Sequence, residues 1–161
     1  MTASGPASEV QIEEVSPASA DAQYCLSCYF AELQERFDVG FDPEKSLSPT
    51  LEGFAPPAGT FIVMRLHGEP VACGGFKRDA PGIAYIKRMW VSPDARGLGL
   101  GRRVLHALED RAQQLGYRKV RLETQKSLTE AQQLYRSSGY REVAPFNDEL
   151  YAHHWFEKDL S

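Results

Sequence analysis

The sequence has few cysteines, no long apolar run and no excess of basic residues. A chain of 161 residues buries enough surface to fold without a disulfide framework, and its three cysteines do not suggest one. The apolar stretches are shorter than the ~20 residues that cross a bilayer. A formal net charge of −4 argues against a general nucleic-acid-binding protein. Because the N-terminus has neither a basic start nor an apolar segment, we predict a cytoplasmic protein with no membrane partner.

Two of the cysteines, Cys25 and Cys28, have the CxxC spacing of some zinc and redox sites. A zinc site needs two further ligands at matching spacing, and the sequence has no second pair. A redox CxxC opens a helix after a strand, whereas this one lies inside a helical pattern. The sequence therefore predicts reduced thiols and no metal site.

Hydrophobic periodicity predicts a mixed α/β domain with one main sheet, spanning residues 1–161. The segment Ser127–Glu130 has the Ser-x-x-Glu form of a capping box, which predicts a helix start. Helices are expected at 18–37, near 47–51, at 101–115 and at 127–139, and strands at 9–15, 61–66, 71–76, 83–91, 120–124, 140–143 and 151–160.

The sharpest motif is the glycine-rich segment 96–103, RGLGLGRR, between a predicted strand and a predicted helix. Glycines at alternate positions let backbone N–H groups converge, and the helix start adds unpaired N–H groups. Arginine side chains supply positive charge. A diphosphate is therefore the expected ligand.

Several interpretations of this loop stay open on the residues alone. A Walker loop is excluded because no G-x-x-x-x-G-K-[ST] string is present. A dinucleotide site, with Glu123 as its acidic residue, would need G-x-G-x-x-G directly after the strand. The remaining interpretations are the pyrophosphate arm of a carrier such as coenzyme A, and a connector that binds no ligand.

The motifs together resemble the GNAT N-acetyltransferase superfamily. Residues 96–101 match its R/Q-x-x-G-x-G/A loop, and the stretch IKRMWVSP at 86–93 resembles the strand before that loop. The stretches 122–124 and 131–140 resemble its later strand and helix. The resemblance covers residues 60–145, the expected acetyl-CoA-binding core, and residues 1–58 would be the variable acceptor-side segment.

The resemblance implies a mostly antiparallel central sheet flanked by helices and an acetyl-CoA-dependent acetyltransferase. Backbone groups at a bulge in the strand would bind the pantetheine arm, and one N–H would polarise the thioester carbonyl. The loop would hold the pyrophosphate. The expected cofactor-binding residues are Met89, Trp90, Val91, Arg96, Gly97, Leu98, Gly99, Leu100, Gly101, Arg102 and Ser127.

Two residues are candidates for proton transfer. Tyr135 matches the family's general acid, although a tyrosine beside Leu134 also suits a helical core position. Many family members carry a glutamate where this chain has Tyr85, so Glu123 at the end of the next strand is the alternative base. A solvated or ion-paired glutamate is equally compatible with that position. Ser127 would substitute weakly for a pantetheine-binding Asn or Gln, because Leu128 stands at that position.

The acceptor side is expected to come from the first helix and the loop after it. Tyr29, Phe37 and Tyr85 are the predicted substrate-binding residues. Acidic residues on the same segment, together with the aromatic ones, suit a cationic amine, and they are Glu32, Glu35, Asp38 and Asp42. The opposing interpretation is an amphipathic helix with a solvated acidic face.

We therefore expect transfer of an acetyl group to a primary amine of a small molecule, by direct attack in a ternary complex. The alternatives are a protein or peptide N-acetyltransferase and a non-catalytic acyl-CoA sensor. Dimers are common in the family, which leaves a homodimer open.

Overall fold

In the computed structural model, which describes residues 10–46 and 50–160, a seven-stranded sheet carries helices on both faces. The strand order is β1-β2-β3-β4-β5-β7-β6, and every neighbouring pair is antiparallel except β4 and β5. The predicted mixed, mostly antiparallel sheet is therefore confirmed. The elements are β1 (Val10–Glu14), α1 (Ala20–Arg36), β2 (Thr60–Leu66), β3 (Glu69–Ala80), β4 (Ile83–Val91), α2 (Leu100–Gln114), β5 (Lys119–Thr124), α3 (Thr129–Ser137), β6 (Arg141–Val143) and β7 (His154–Asp159).

Alternation along β2 explains why both faces of the sheet are covered. Phe61 and Val63 pack with α1 on one face, whereas Ile62 and Met64 pack with α2 on the other. Residues of α2 at helical spacing are fully buried, among them Val104, Leu105 and Leu108. Along α3, Leu134 and Tyr135 join the same core as α2. The site described below lies where these two layers meet the middle of the sheet.

Capping residues explain the start of α1 and the end of α2, whereas the start of α3 differs from the sequence prediction. The Ser19 side chain accepts a hydrogen bond from the Ala22 N–H and starts α1. After α2 ends, Gly116 adopts φ +93°, as a C-terminal glycine does. The capping box predicted at Ser127 is wrong, because Leu128 is the N-cap of α3 and makes no side-chain capping bond. The Ser127 hydroxyl donates instead to the Gln125 side chain.

Other boundaries differ modestly from expectation. The short helix predicted near 47–51 falls largely outside the described residues, and a 3-10 turn occupies Pro43–Lys45. The last strand begins at His154 rather than 151, because residues 147–152 form a loop held by side-chain bonds. Cys25, Cys28 and Cys73 are free thiols. Within residues 10–46 and 50–160, no helix is long and apolar enough to cross a membrane.

Candidate active site

The central sheet opens between β4 and β5. Their parallel pairing covers only Ile83–Tyr85 on β4, although β4 continues to Val91 and β5 to Thr124. On its other side, β4 carries one extra residue against β3, between Lys87 and Trp90. Arg88 has φ +61°, the left-handed conformation that an inserted bulge residue often adopts. The bulge turns β4 away from β5 and leaves a strand edge facing a cleft.

A cleft of about 370 Å³ runs along this edge to the start of α2. Its walls are the bulged part of β4, the glycine loop, α1 and α3. Of the predicted cofactor-binding residues, all but two line it: Met89, Trp90, Val91, Arg96, Gly97, Gly99, Leu100, Gly101 and Arg102.

The glycine loop presents backbone N–H groups to this cleft. Gly97 and Gly99 have φ +91° and +73°, and nothing lies within 4 Å of a Cβ built on either residue. Gly99 is the N-cap of α2, whose first N–H groups have no acceptor within the helix. The positive end of the helix dipole adds to them. The loop therefore has the chemistry of an anion site, with room for a phosphate against the backbone.

Leu98 and Ser127 lie outside the lining of the cleft. The Leu98 side chain packs against the core beside α2. The Ser127 hydroxyl is engaged by Gln125, and its carbonyl oxygen accepts a bond of 2.9 Å from Arg36. Neither side chain lines the cleft, and the role predicted for Leu98, as part of the loop backbone, stays a prediction.

Ion pairs cross the mouth of the cleft. Arg96 Nη2 lies 2.6 Å from Glu32 Oε1, which joins the loop to α1. Arg36 pairs with Glu32 at 3.1 Å and also with Glu130 on α3. Arg102 is held differently, since its guanidinium donates to the hydroxyls of Ser137 and Ser138. Guanidinium groups are thus held at the mouth of the cleft, with Arg96 and Arg36 paired to carboxylates and Arg102 bonded to uncharged hydroxyls.

A second cavity, of about 100 Å³, lies on the other side of the gap between β4 and β5. The two cavities share lining residues, so they meet rather than lie apart. The shared residues are Tyr29, Leu33, Met89, Leu128, Ala131 and Tyr135. The predicted acceptor residues Tyr29 and Phe37 both line this second cavity.

Tyr135 is buried at the junction of the two cavities, with 7% of its surface exposed. Its ring packs against Tyr140 and Phe156, at centroid distances of 5.9 and 5.7 Å. Burial raises the pKa of its hydroxyl well above 10, with smaller contributions from Tyr29 and Glu123. Among the described residues, none forms a hydrogen bond with this hydroxyl. Tyr135 is therefore protonated at neutral pH and keeps a proton that it can donate.

Glu123 lines the second cavity at the end of β5. Burial raises the pKa of its carboxyl group, and hydrogen bonds from Asn147 and Tyr85 together with the charge of Lys87 oppose that rise. Such a carboxylate is a stronger base than one in water.

Tyr85 does not line either cavity. It is 3% exposed and lies behind Glu123, to which its hydroxyl donates. The side chain at this position therefore supports the carboxylate of Glu123, where the sequence prediction had it contacting the substrate.

Sequence reasoning missed a second carboxylate in the acceptor cavity. Glu149 Oε1 lies 3.7 Å from Lys87 Nζ and accepts a bond of 2.5 Å from the Ser46 hydroxyl. Burial lowers the pKa of Lys87. The acids predicted to face the acceptor are elsewhere: Glu35, Asp38 and Asp42 are exposed, and Glu32 lines the cleft. A loop contributes Glu149, and no periodic pattern marks it. Among residues 10–46 and 50–160, no cluster of His, Cys, Asp and Glu could hold a metal ion.

Comparison with known proteins identifies the family. The model of the GNAT acetyltransferase family matches residues 26–140, and the match begins inside α1. The chain is 38% identical over 97 residues to the IAA acetyltransferase of Azospirillum brasilense, covering 60% of this chain and 63% of that protein. It therefore spans just under two thirds of that relative's length.

Two further proteins agree on the family or the fold. The N-alpha-acetyltransferase RimI of Mycobacterium tuberculosis is 34% identical over 128 residues, covering 77% of this chain and 75% of RimI. YncA of Salmonella typhimurium, whose structure holds its cofactor acetyl-CoA, has a TM-score of 0.70 at 18% identity, with 94% of each chain covered. At that identity, YncA bears on the fold alone. The resemblance drawn from the motifs is confirmed, and the chain belongs to the GNAT acetyltransferase family.

Proposed function

We propose that this protein transfers the acetyl group of acetyl-CoA to a primary amine of a small molecule, by direct attack in a ternary complex. The observation that carries the proposal is the junction of the two cavities. Met89 and Tyr135 belong to both, while the glycine loop lies on one side and Glu123 on the other. A donor and an acceptor held in the two cavities would meet at that junction.

The first cavity fits acetyl-CoA. The glycine loop offers N–H groups and Arg96 to a diphosphate, and the unpaired edge of β4 offers backbone groups to an extended amide chain. When bound, acetyl-CoA supplies the thioester that the amine attacks and the sulfur that leaves. YncA, which shares the fold, holds this cofactor.

The residues at the junction have distinct tasks. Glu123 accepts the proton of an amine that arrives charged, because amines have a pKa of about 10. Tyr135 donates a proton to the sulfur as the C–S bond breaks, and the second proton lost by the attacking nitrogen restores the Tyr135 hydroxyl. Its raised pKa makes it a weak acid, but burial raises the proton affinity of a thiolate as well. A backbone N–H at the β4 bulge polarises the carbonyl, a contribution of about 3 kcal/mol when the donor is oriented in advance.

The size of the acceptor cavity favours a small molecule over a peptide. Its volume of about 100 Å³ is below the ~150 Å³ that holds benzene in an engineered cavity. Tyr29, Phe37 and Phe41 close one side of it. A compact amine fits this space, whereas a peptide would need an open groove.

Calorimetry with acetyl-CoA and thiol release with a panel of amines, amino acids and peptides test the proposal. We expect binding of acetyl-CoA and release of free thiol with at least one small amine. Turnover of peptides alone would favour the peptide acetyltransferase. Tight binding without any turnover would favour a sensor, and no binding at millimolar acetyl-CoA would overturn all three functions.

Arg96→Ala is expected to weaken acetyl-CoA binding about tenfold, because one charge-assisted bond to the diphosphate is lost while its competitor Glu32 remains. Titration calorimetry measures the effect. Arg118→Ala removes the same charge from an exposed position outside both cavities and should leave the affinity unchanged. Equal losses in both variants would mean that Arg96 acts only through net charge.

A further inference from the structure

Asn147, in the loop between β6 and β7, bonds through its side chain to several residues at and behind the acceptor cavity. Asn147 Nδ2 lies 2.9 Å from Glu123 Oε1 and 3.2 Å from the Tyr85 hydroxyl. Its Oδ1 accepts bonds from Trp155 Nε1 at 2.9 Å and from the Glu149 N–H at 3.2 Å. Three of these contacts join β4, β5 and β7 to one amide, and the fourth lies within the loop itself.

The orientation of this amide is determined by its partners. An indole N–H and a backbone N–H can only donate, so the group facing Trp155 and Glu149 must be the oxygen. The NH₂ group is then obliged to face Glu123 and Tyr85. A flipped amide would place a donor against two donors and an oxygen against a carboxylate, which is repulsive on both sides.

The two side-chain hydrogen bonds that Glu123 accepts fall on the same carboxylate oxygen. Asn147 and Tyr85 both donate to Oε1. Within the described part of the chain, no protein group donates to Oε2, although the residue lines the acceptor cavity. One carboxylate oxygen is thus held by the protein, and the other stays available for the proton of an amine or a water molecule.

We infer that Asn147 is a positioning residue that orients the carboxylate of Glu123 toward the acceptor and joins it to the loop carrying Glu149. This inference rests on the proposed role of Glu123. Asn147 lies outside all the motifs identified in the sequence. Asn147 itself would transfer no proton.

Asn147 is the only asparagine in the sequence, which allows a direct test without turnover. Protein labelled with ¹⁵N at the asparagine side chain has one NH₂ group to observe by NMR. Its signals are expected to shift with pH as Glu123 ionises, and to lose that shift in Glu123→Gln. The other ionisable groups facing Glu123 are Lys87 and Glu149, with Tyr29, Tyr85 and Tyr135, whose hydroxyls have raised pKa values. Those groups leave at most a smaller response with another midpoint in Glu123→Gln, so a response of unchanged size and midpoint in that variant would overturn the inference.

Two substitutions separate orientation of Glu123 from simple anchoring of the loop. Asn147→Asp keeps an oxygen for Trp155 and the Glu149 N–H but replaces the donor with a negative charge beside Glu123. Asn147→Ala removes both functions. We expect kcat to fall about tenfold in Asn147→Ala and further in Asn147→Asp. The acidic limb of the kcat profile should move up by about one pH unit in Asn147→Ala, and further in Asn147→Asp.

The opposite ranking would contradict the inference. If Asn147 only anchors the loop, Asn147→Asp should resemble the wild type and Asn147→Ala should unfold or lose acceptor affinity without a change in the pH profile. Failure of the proposed function gives a different result, because the wild type would then turn over no amine while the NMR response stays intact. Acetyl-CoA affinity should remain unchanged in both variants, since Asn147 does not line the cofactor cleft.

Discussion

Glu123→Gln is expected to lower kcat/KM for the amine acceptor about 10³-fold, because general-base catalysis typically contributes between about 10² and 10⁴. The substitution keeps the size of the side chain and its bond from Tyr85, but glutamine cannot accept a proton at neutral pH. Wild-type activity should rise as pH increases through the raised pKa of Glu123, and the residual activity of the variant should lack that rise. Steady-state rates across pH with one amine measure both effects.

The substitution Glu123→Gln should affect the stability of the fold in the direction opposite to its effect on activity. Folding raises the pKa of Glu123, so its contribution to stability is fully present below the unfolded-state pKa and is lost as pH rises through the folded-state pKa. Above that folded-state pKa, the ionised, buried carboxylate destabilises the fold. The Tm of Glu123→Gln, measured by circular dichroism, should therefore rise relative to that of the wild type as pH increases through this range.

A matched control is available for this carboxylate. Glu109 is also buried, and it bonds to Tyr140 and Lys158 outside both cavities. Glu109→Gln should leave kcat/KM unchanged. A comparable loss in both variants, or a near-normal rate in Glu123→Gln, would remove Glu123 from the mechanism and leave the proton to a water path.

Tyr135→Phe should reduce kcat about 10²-fold while acetyl-CoA binding stays intact, because only the hydroxyl proton is removed. The ring contacts with Tyr140 and Phe156 are preserved, so the fold should tolerate the change. Stopped-flow measurement of thiol release and calorimetry with acetyl-CoA report the two quantities separately.

The neighbouring Tyr140 provides the comparison for Tyr135. It is equally buried, but its hydroxyl bonds to Glu109 at 2.7 Å and faces neither cavity. Tyr140→Phe should lower stability slightly and leave kcat unaffected. If Tyr135→Phe changes neither kcat nor binding, the sulfur takes its proton from solvent, and Tyr135 is a core residue.

The cofactor side of the molecule could be predicted because its chemistry is local. The glycines of 96–101, the helix that follows and the strand before it are consecutive in the chain, so their spacing already determines a convergent set of N–H groups. The residues of the loop indicated a diphosphate but left its carrier open, and only the resemblance to the family, which the family match confirms, pointed to acetyl-CoA. The Leu98 side chain packs against the core, so any contact of this residue with a diphosphate would come from its backbone.

Distant segments form the acceptor side, so the sequence pointed to only part of its lining, namely Tyr29, Phe37 and Glu123. Glu149 and Asn147 belong to a loop without periodicity, and their partners Ser46, Tyr85 and Glu123 are far away in sequence. Placing Glu32, Glu35, Asp38 and Asp42 at the acceptor assumed that an acidic segment faces its substrate. Glu35, Asp38 and Asp42 instead remain in solvent, where a charge costs least.

Strand edges left without a neighbour are where separate protein molecules join into aggregates. Beyond Tyr85, β4 has such an edge, but it lies in the middle of the sheet, with α1 and α3 along the opening. These helices stand where a strand of another molecule would have to lie, whereas the cleft leaves the edge open to a ligand. The fold thus keeps unpaired backbone groups without offering them as a free outer edge of the sheet.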